Sequence, residues 1–335
     1  MADLTNIINE TFPNKTVVII GDLVADQFLN GTISRVSREA PVFILKHDTT
    51  KTVPGSAANA AVNVASLGGK SVLIGLAGED ANGTLLLEAL NQAGISTENI
   101  VTEASLTTTT KVRVLAGQHY AARQQVIRID YEASPDLNAK IKQKLRDNLA
   151  AAGPSADAII ISDYNYGAVF PEIFADALAI SQQRGIPLIV DSRFRLESYA
   201  GATSATPNSD EVAQILGDDF STEDCGQLCE RLGLKSLLVT NGNQGVQLFE
   251  SGRPPVQIDA VGGTEPVDVT GAGDTVIAAY TLGLASGMSF AESAKIANHA
   301  GGIVVMKKGT ASVTAAELTT SINENTDPAA ASRAK

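Results

Sequence analysis

Short β-branched runs alternating with helical stretches along most of the 335 residues predict an α/β fold, with a central, mostly parallel sheet covered by helices on both faces. Three observations carry this. Runs of strand length at 16–20, 71–77, 158–162, 188–191 and 237–240 are separated by segments of helical pattern. Those runs are nearly continuous in apolar residues, as strands buried on both faces must be. Two regions, 42–47 and 107–131, break the rhythm with alternation and no helix between, which predicts a second, small sheet.

In chain order, 16–20 reads as the first buried strand. Residues 56–67 are small and apolar at helical spacing, and 71–77 return to strand. Residues 82–93 read as a helix that stops at Gly94. The small sheet is expected to be antiparallel, built from about 31–50 and 107–131, and to serve as a lid or an edge extension. Its alternation is clearest in Thr110-Lys111-Val112-Arg113-Val114 and Gln125-Val126-Ile127-Arg128-Ile129. The three later apolar runs are strands, with a helix over Pro171–Arg184 between the first two. Residues 268–287 read as a turn followed by a helix, and 290–307 as another helix. The polar, Ala-rich stretch 323–335 is expected to be disordered, which leaves 1–322 as one domain.

Composition narrows the partners. The chain carries 25 Lys+Arg against 37 Asp+Glu, a net charge of -12. That field repels nucleic acid and anionic membrane, so neither is an expected partner, and an anionic substrate needs a local basic pocket. With 44% hydrophobic residues there is ample material for a large core. The two cysteines, Cys225 and Cys229, share an expected helix, and His47, His119 and His299 are scattered. Neither a disulfide nor a metal centre is expected from them. The opening MADLTNIINE lacks signal-peptide character, and no apolar run reaches the roughly 20 residues of a membrane span. A cytoplasmic protein follows as the expectation.

The segment that carries chemistry is Val269-Thr270-Gly271-Ala272-Gly273-Asp274. Extended residues run into small ones, and a long apolar helix starts near Asp274. Small residues let a backbone approach a ligand closely, and free N–H groups at a helix start attract anions. A carboxylate there can take a proton. Phosphoryl transfer needs these parts: a donor cradle and a base for the attacking hydroxyl. Alone, the same spacing also describes a Gly-rich turn with an acidic helix start. Neither the Walker pattern nor the dinucleotide-binding fingerprint is present.

The segment resembles the C-terminal signature of the ribokinase-like (PfkB) sugar kinases. Four further pieces fall in that family's order across about residues 15–320: Gly21-Asp22-Leu23-Val24-Ala25-Asp26, Pro54-Gly55-Ser56-Ala57-Ala58-Asn59, Thr206-Pro207-Asn208-Ser209-Asp210-Glu211 and Thr240-Asn241-Gly242-Asn243-Gln244-Gly245. Within the family, the likeness is to the heptose 7-phosphate kinase half of ADP-heptose synthesis enzymes. It is carried by Ser34-Arg35-Val36-Ser37-Arg38-Glu39-Ala40-Pro41-Val42, by Ser162-Asp163-Tyr164 and by Val267-Asp268-Val269 with the segment after it. The bifunctional members also carry a nucleotidyltransferase domain, and none is expected within these 335 residues.

The resemblance implies a ribokinase-like three-layer sandwich with a central, mostly parallel sheet and a small β-sheet lid, pairing into a homodimer through that lid. It implies an ATP-dependent kinase using Mg²⁺, with D-glycero-β-D-manno-heptose 7-phosphate as acceptor at its anomeric hydroxyl. Asp274 would be the general base, and Gly271, Ala272 and Gly273 the anion hole. Asp26, Gly55 and Asn59 would meet the sugar, with Asp22 as second choice. Arg113 and Arg128 would meet a phosphate already on it, with Arg35, Lys111 and Arg193 as further candidates. Asn208 and Glu211 would face the phosphates and Mg²⁺. Thr240, Gly242, Gly245 and Asn298 would border the nucleotide. Asp268 and Thr270 would help hold a monovalent cation such as K⁺. Each has a plainer reading beside it: caps for Asn59 and for the Asn208–Glu211 pair, turns for the glycines, a solvated sheet face for the arginines.

This chain departs from the pattern at three places. Ser56 stands for the second glycine of the N-terminal signature, Tyr166 precedes Gly167 where Lys is usual, and Ser192-Arg193 follows Val190-Asp191 in place of Pro-Lys. These keep open a kinase for another sugar, such as fructose phosphate, ribose or a nucleoside. A catalytically silent sugar- or nucleotide-binding protein is the alternative of a different class.

Overall fold

The computed structural model describes residues 4–118, 123–132, 137–263 and 265–326. In chain order the strands are β1 (Thr16–Gly21), β2 (Leu23–Val36), β3 (Phe43–Ser56), β4 (Lys70–Gly78), β5 (Ile100–Glu103), β6 (Thr110–Gly117), β7 (Gln124–Tyr131), β8 (Ala158–Asp163), β9 (Leu188–Ser192), β10 (Ser204–Ala205), β11 (Ser236–Thr240), β12 (Val246–Glu250) and β13 (Val256–Ile258). Nine of them form the central sheet in the order β13-β12-β11-β10-β9-β8-β1-β4-β5. All neighbours from β11 to β5 are parallel, while β12 and β13 close one edge in antiparallel fashion.

β1 shows why the layers form. Val17, Val18, Ile19 and Ile20 are all fully buried. Successive side chains leave a strand on opposite faces. Val17 and Ile19 join a core with the helices Ala57–Ser66, Ala81–Gln92, Ala272–Ala285 and Phe290–Val304. Val18 and Ile20 join a second core with Ala139–Ala152, Pro171–Arg184 and Thr222–Arg231. Each such side chain contributes about 1.5–3 kcal/mol of transfer free energy. Helices on both faces of one parallel sheet make the three-layer α/β sandwich that the apolar runs predict.

The small sheet differs from expectation in two ways. Its order is β3-β2-β6-β7. The outer pairs are antiparallel but β2 and β6 are parallel, so the sheet is mixed. It also reaches further toward the body than 31–50. β2 and β3 pair from Leu23↔Ser56 out to Val36↔Phe43, so Asp26 and Gly55 lie inside this sheet. The helix Ala315–Thr326 enters the stretch 323–335 expected to be disordered, and 327–335 lie outside the described residues, as does His119. No helix among the described residues is long and apolar enough to cross a membrane.

Candidate active site

The helix Ala272–Ala285 starts from Gly271, whose φ of +79° is left-handed. A β-carbon there would stand 2.6 Å from Asn59 Nδ2, so both the turn and the close approach require glycine. Asp274 falls in the first turn and is 4% exposed. Its Oδ2 accepts from Asn59 Nδ2 at 2.8 Å, and its Oδ1 accepts from the Tyr164 hydroxyl at 3.1 Å. Asn59 is fixed from behind. Asn63 Nδ2 donates to Asn59 Oδ1 at 3.2 Å, and Asn63 Oδ1 accepts from Thr275 Oγ1 at 3.0 Å. This orients the Asn59 amide with its donor toward Asp274. Burial pushes the Asp274 carboxyl up to about 7, against the pull of the Asn59 and Tyr164 hydrogen bonds.

Asp274 lines a polar cavity of about 300 Å³ at the carboxyl ends of β9 and β11. That is where an open parallel sheet places ligands. A second, mainly apolar cavity of about 220 Å³ lies beyond, bordered by Gly242, Gly245, Val246, Val276 and Asn298. The two share Thr240, Val269, Ala272 and Gly273. The cradle expected for a migrating anion therefore sits where a flat apolar ligand and a polar acceptor would meet.

Several expected site residues line the polar cavity while also serving the fold. Asp26 is 5% exposed, and its Oδ1 pairs with Arg113 Nη1 at 2.5 Å. Asn208 Oδ1 accepts from the Glu211 N–H and Glu211 Oε2 accepts from the Asn208 N–H, both at 2.9 Å. This capping box opens the helix Ser209–Leu216 and leaves both side chains on the cavity wall. Burial pushes the Glu211 carboxyl up. Burial also pushes Asp191 well above the carboxylate range, with the charges of Glu211 and Asp274 adding to it. Arg128 lines the cavity and pairs with Asp130 at 2.9 Å. Asn298 Nδ2 donates to the Asp259 carbonyl at 2.8 Å on the apolar side. Gly245 has a φ of +86°, and a β-carbon there would come 2.1 Å from the Ile258 carbonyl, so it is a packing glycine as well as a lining one.

Other residues do not take the expected part. Asn59 holds the Asp274 carboxylate and does not line the cavity. Gly55 makes room for Asp26, whose Oδ2 would lie 2.7 Å from any β-carbon there. Asp22 spends its carboxylate on the N–H groups of Tyr164, Tyr166 and Ala168 at 2.8–3.0 Å, which fixes that loop and removes it as a sugar ligand. Asp268 holds the N–H groups of Thr270 and Gly309, both at 2.9 Å, tying the turn before Asp274 to the 309 turn. Arg35 is exposed on the small sheet. Sequence reasoning missed Tyr164 and Asp191 as cavity residues. The signals were their places at strand ends, since Tyr164 follows β8 and Asp191 is the next-to-last residue of β9, and for Tyr164 its place in the Ser162-Asp163-Tyr164 segment that carries the resemblance.

Ser56, the residue in place of glycine, has φ 55° and ψ -130°. That region suits glycine alone, and holding another residue there costs about 1–3 kcal/mol. Glycine's extra freedom in the unfolded chain takes back about 0.5–1 kcal/mol. Ser56→Gly should therefore raise stability by about 1 kcal/mol, read as a higher urea midpoint at unchanged slope. A lower midpoint would show the hydroxyl to be worth more than the strain.

A profile described as the pfkB family carbohydrate kinase matches residues 14–316. The bifunctional protein HldE of Caulobacter vibrioides is 40% identical over 317 residues, covering 92% of this chain and 63% of that protein. HldE of Azorhizobium caulinodans is 39% identical over 308 residues, covering 90% and 63%. The chain thus spans 63% of the length of these curated relatives. Among solved structures, Arabidopsis thaliana ribokinase complexed with ribose and ATP aligns with a TM-score of 0.70 at 22% identity, over 92% of this chain and 98% of that one. Escherichia coli phosphofructokinase-2 in complex with potassium aligns with a TM-score of 0.75 at 19% identity, over 93% and 99%. These last two likenesses establish a ribokinase-like fold.

Proposed function

Since the chain belongs to the pfkB family of carbohydrate kinases, we propose that it transfers the γ-phosphoryl group of ATP to the anomeric hydroxyl of D-glycero-β-D-manno-heptose 7-phosphate. One observation carries the mechanism: a buried carboxylate, Asp274, stands at the junction of a polar and an apolar cavity, at a helix start free of bulky side chains. In this reading Asp274 takes the hydroxyl proton as the sugar oxygen attacks phosphorus. Asn59 and Tyr164 aim it. The N–H groups of Gly271, Ala272 and Gly273 face the charge that develops on the transferring group. The likeness to the HldE proteins supports the heptose.

Asp191 and Glu211 fit a divalent cation, because both carboxyls line the polar cavity, burial raises both, and the charge of Glu211 adds to the rise at Asp191. They would hold Mg²⁺ largely through water, as that ion prefers. When bound, it would neutralise charge on the phosphates. A monovalent cation such as K⁺ would take main-chain carbonyls beside Asp268 and Thr270. The exposed Val36, Phe43, Ile127 and Ile129 of the small sheet support a homodimer formed through it. Two buried free thiols, Cys225 and Cys229, suit a reducing cytoplasm.

The departures at Ser56, Tyr166 and Arg193 favour a second reading, a kinase for another sugar. An ADP-coupled assay over heptose 7-phosphate, fructose 1- and 6-phosphates, ribose and a nucleoside separates the two. Turnover is expected with heptose 7-phosphate above all others. Turnover of a different sugar in its place sinks the specific assignment, and no ADP from any of them favours a silent binding protein.

A further inference from the structure

We propose that Lys111, held between the rings of Tyr164 and Tyr166 and joined by Arg193, is the subsite that binds a phosphate already carried by the acceptor sugar. This rests on the kinase reading above and names the feature of the substrate that the site selects.

Lys111 lies on β6 and is 7% exposed. Its Nζ stands 5.9 Å from the Tyr164 ring centroid and 5.6 Å from that of Tyr166. Among the described residues it has no hydrogen-bond acceptor and no ion-pair partner. Two ring faces give a buried ammonium about 2 kcal/mol or somewhat more. Taking it out of water costs several kcal/mol. Burial depresses its pKa and the neighbouring positive Arg193 adds to that, against the smaller opposing pull of the Asp26 and Asp130 carboxylates. Lys111 and Arg193 share one wall of the polar cavity with the carboxylates of Asp26, Asp191, Glu211 and Asp274, yet among the described residues neither cation makes an ion pair there. An incoming dianion supplies what is missing.

Geometry points to the acceptor as the source of that anion. Lys111 is the register partner of Asp26 in the β2–β6 pair. It lines the polar cavity and is absent from the wall of the apolar one. The other basic residues are engaged or remote. Arg113 is committed to Asp26, Arg128 to Asp130, and Arg35 is exposed on the small sheet. Tyr166 is itself fixed, since its hydroxyl donates to Glu132 Oε1 at 2.6 Å. The aromatic walls therefore hold the ammonium in place before any ligand arrives.

The test is Lys111→Met with Lys111→Arg beside it, and Lys111→Gln should the methionine variant fail to fold. With saturating ATP, the neutral variant should raise KM for heptose 7-phosphate at least about 100-fold, as loss of one partner of a buried charge pair does. Lys111→Arg should recover most of that. A rise in KM for ATP instead would assign Lys111 to the nucleotide phosphates and overturn the proposal, as would an unchanged acceptor KM. A second measurement needs no turnover: calorimetric titration of inorganic phosphate into protein saturated with a non-hydrolysable ATP analogue. Wild type should bind phosphate and Lys111→Met should bind it at least tenfold more weakly. No binding to wild type overturns the subsite. Binding that is lost in the variant, from a protein that does not turn over heptose 7-phosphate, keeps the subsite and sinks only the heptose assignment.

Discussion

Asp274→Asn should lower kcat about a thousandfold and, at pH 8, raise the melting temperature. The first effect follows from removing the proton acceptor while keeping the shape of the turn and the Asn59 hydrogen bond. The second follows from linkage. The folded Asp274 carboxyl is pushed up to about 7 from an ordinary 3.8, chiefly by burial. A group raised in the folded state contributes stability that is fully present below its unfolded value and is lost as pH rises through its folded value. Above pH 7 the wild type therefore carries a buried, ionised carboxylate that the variant lacks. Three pH units correspond to a penalty on the order of 4 kcal/mol. The gap in melting temperature between variant and wild type should open from about pH 4 to about pH 7 and stay constant above that. A variant that melts below wild type at pH 8 would refute the raised value, and a variant with intact kcat would remove Asp274 as the base.

The same value sets the direction of the pH profile. The base works only when ionised, so kcat/KM should climb about tenfold per unit below pH 7 and level off above it. A profile flat from pH 5.5 to 8 would mean that proton removal by Asp274 does not limit the free enzyme.

Most of the central sheet was legible because strands buried on both faces announce themselves as apolar runs. The five runs read as strands correspond to β1, β4, β8, β9 and β11, each within a few residues. The small sheet was legible in existence but not in pairing. β2 and β6 lie side by side in parallel, and nothing in the alternation of either strand encodes the direction of its neighbour. The site was legible as residue types. Asp274 and the glycines around it stand at a helix start, as the spacing of small residues implied. What each polar side chain touches was not legible. Asn59 meets Asp274 across 215 positions, and Asp22 meets Tyr164 across 142. An Asn after a Gly-rich turn reads as a ligand or a cap, and only the fold turns it into the brace of the Asp274 carboxylate. Lys111 is the reverse case. In sequence it is one charge in an alternating strand, and among the described residues the fold buries it between two tyrosine rings with no ion pair.

Asp163 should show the opposite sign to Asp274 although it is as deeply buried, at 1% exposed against 4%. Its carboxylate takes Arg195 Nη2 at 2.5 Å and Nε at 3.1 Å, the Tyr199 hydroxyl at 2.7 Å and the Ser192 hydroxyl at 2.9 Å. Burial pushes its pKa up, but Arg195 and Tyr199 outweigh that and hold it below the ordinary value. A depressed group contributes stability above its unfolded pKa and loses it as pH falls through the folded one. So Asp163 supports the fold at neutral pH, where Asp274 works against it. Asp163→Ala leaves a phenol and a serine hydroxyl stranded beside an unpaired guanidinium. Breaking such a pair costs about 3–5 kcal/mol, and the lower end applies because Arg195 keeps a third of its side chain in water. The urea midpoint at pH 7 should fall accordingly, and the loss should shrink as pH drops below 4. Arg195→Met should destabilise in the same direction, since it leaves the carboxylate charged without its cation. An Asp163→Ala protein with the wild-type midpoint would show that the clamp contributes nothing. In that case the Ser162-Asp163-Tyr164 segment would matter only for the Tyr164 hydroxyl it delivers to Asp274.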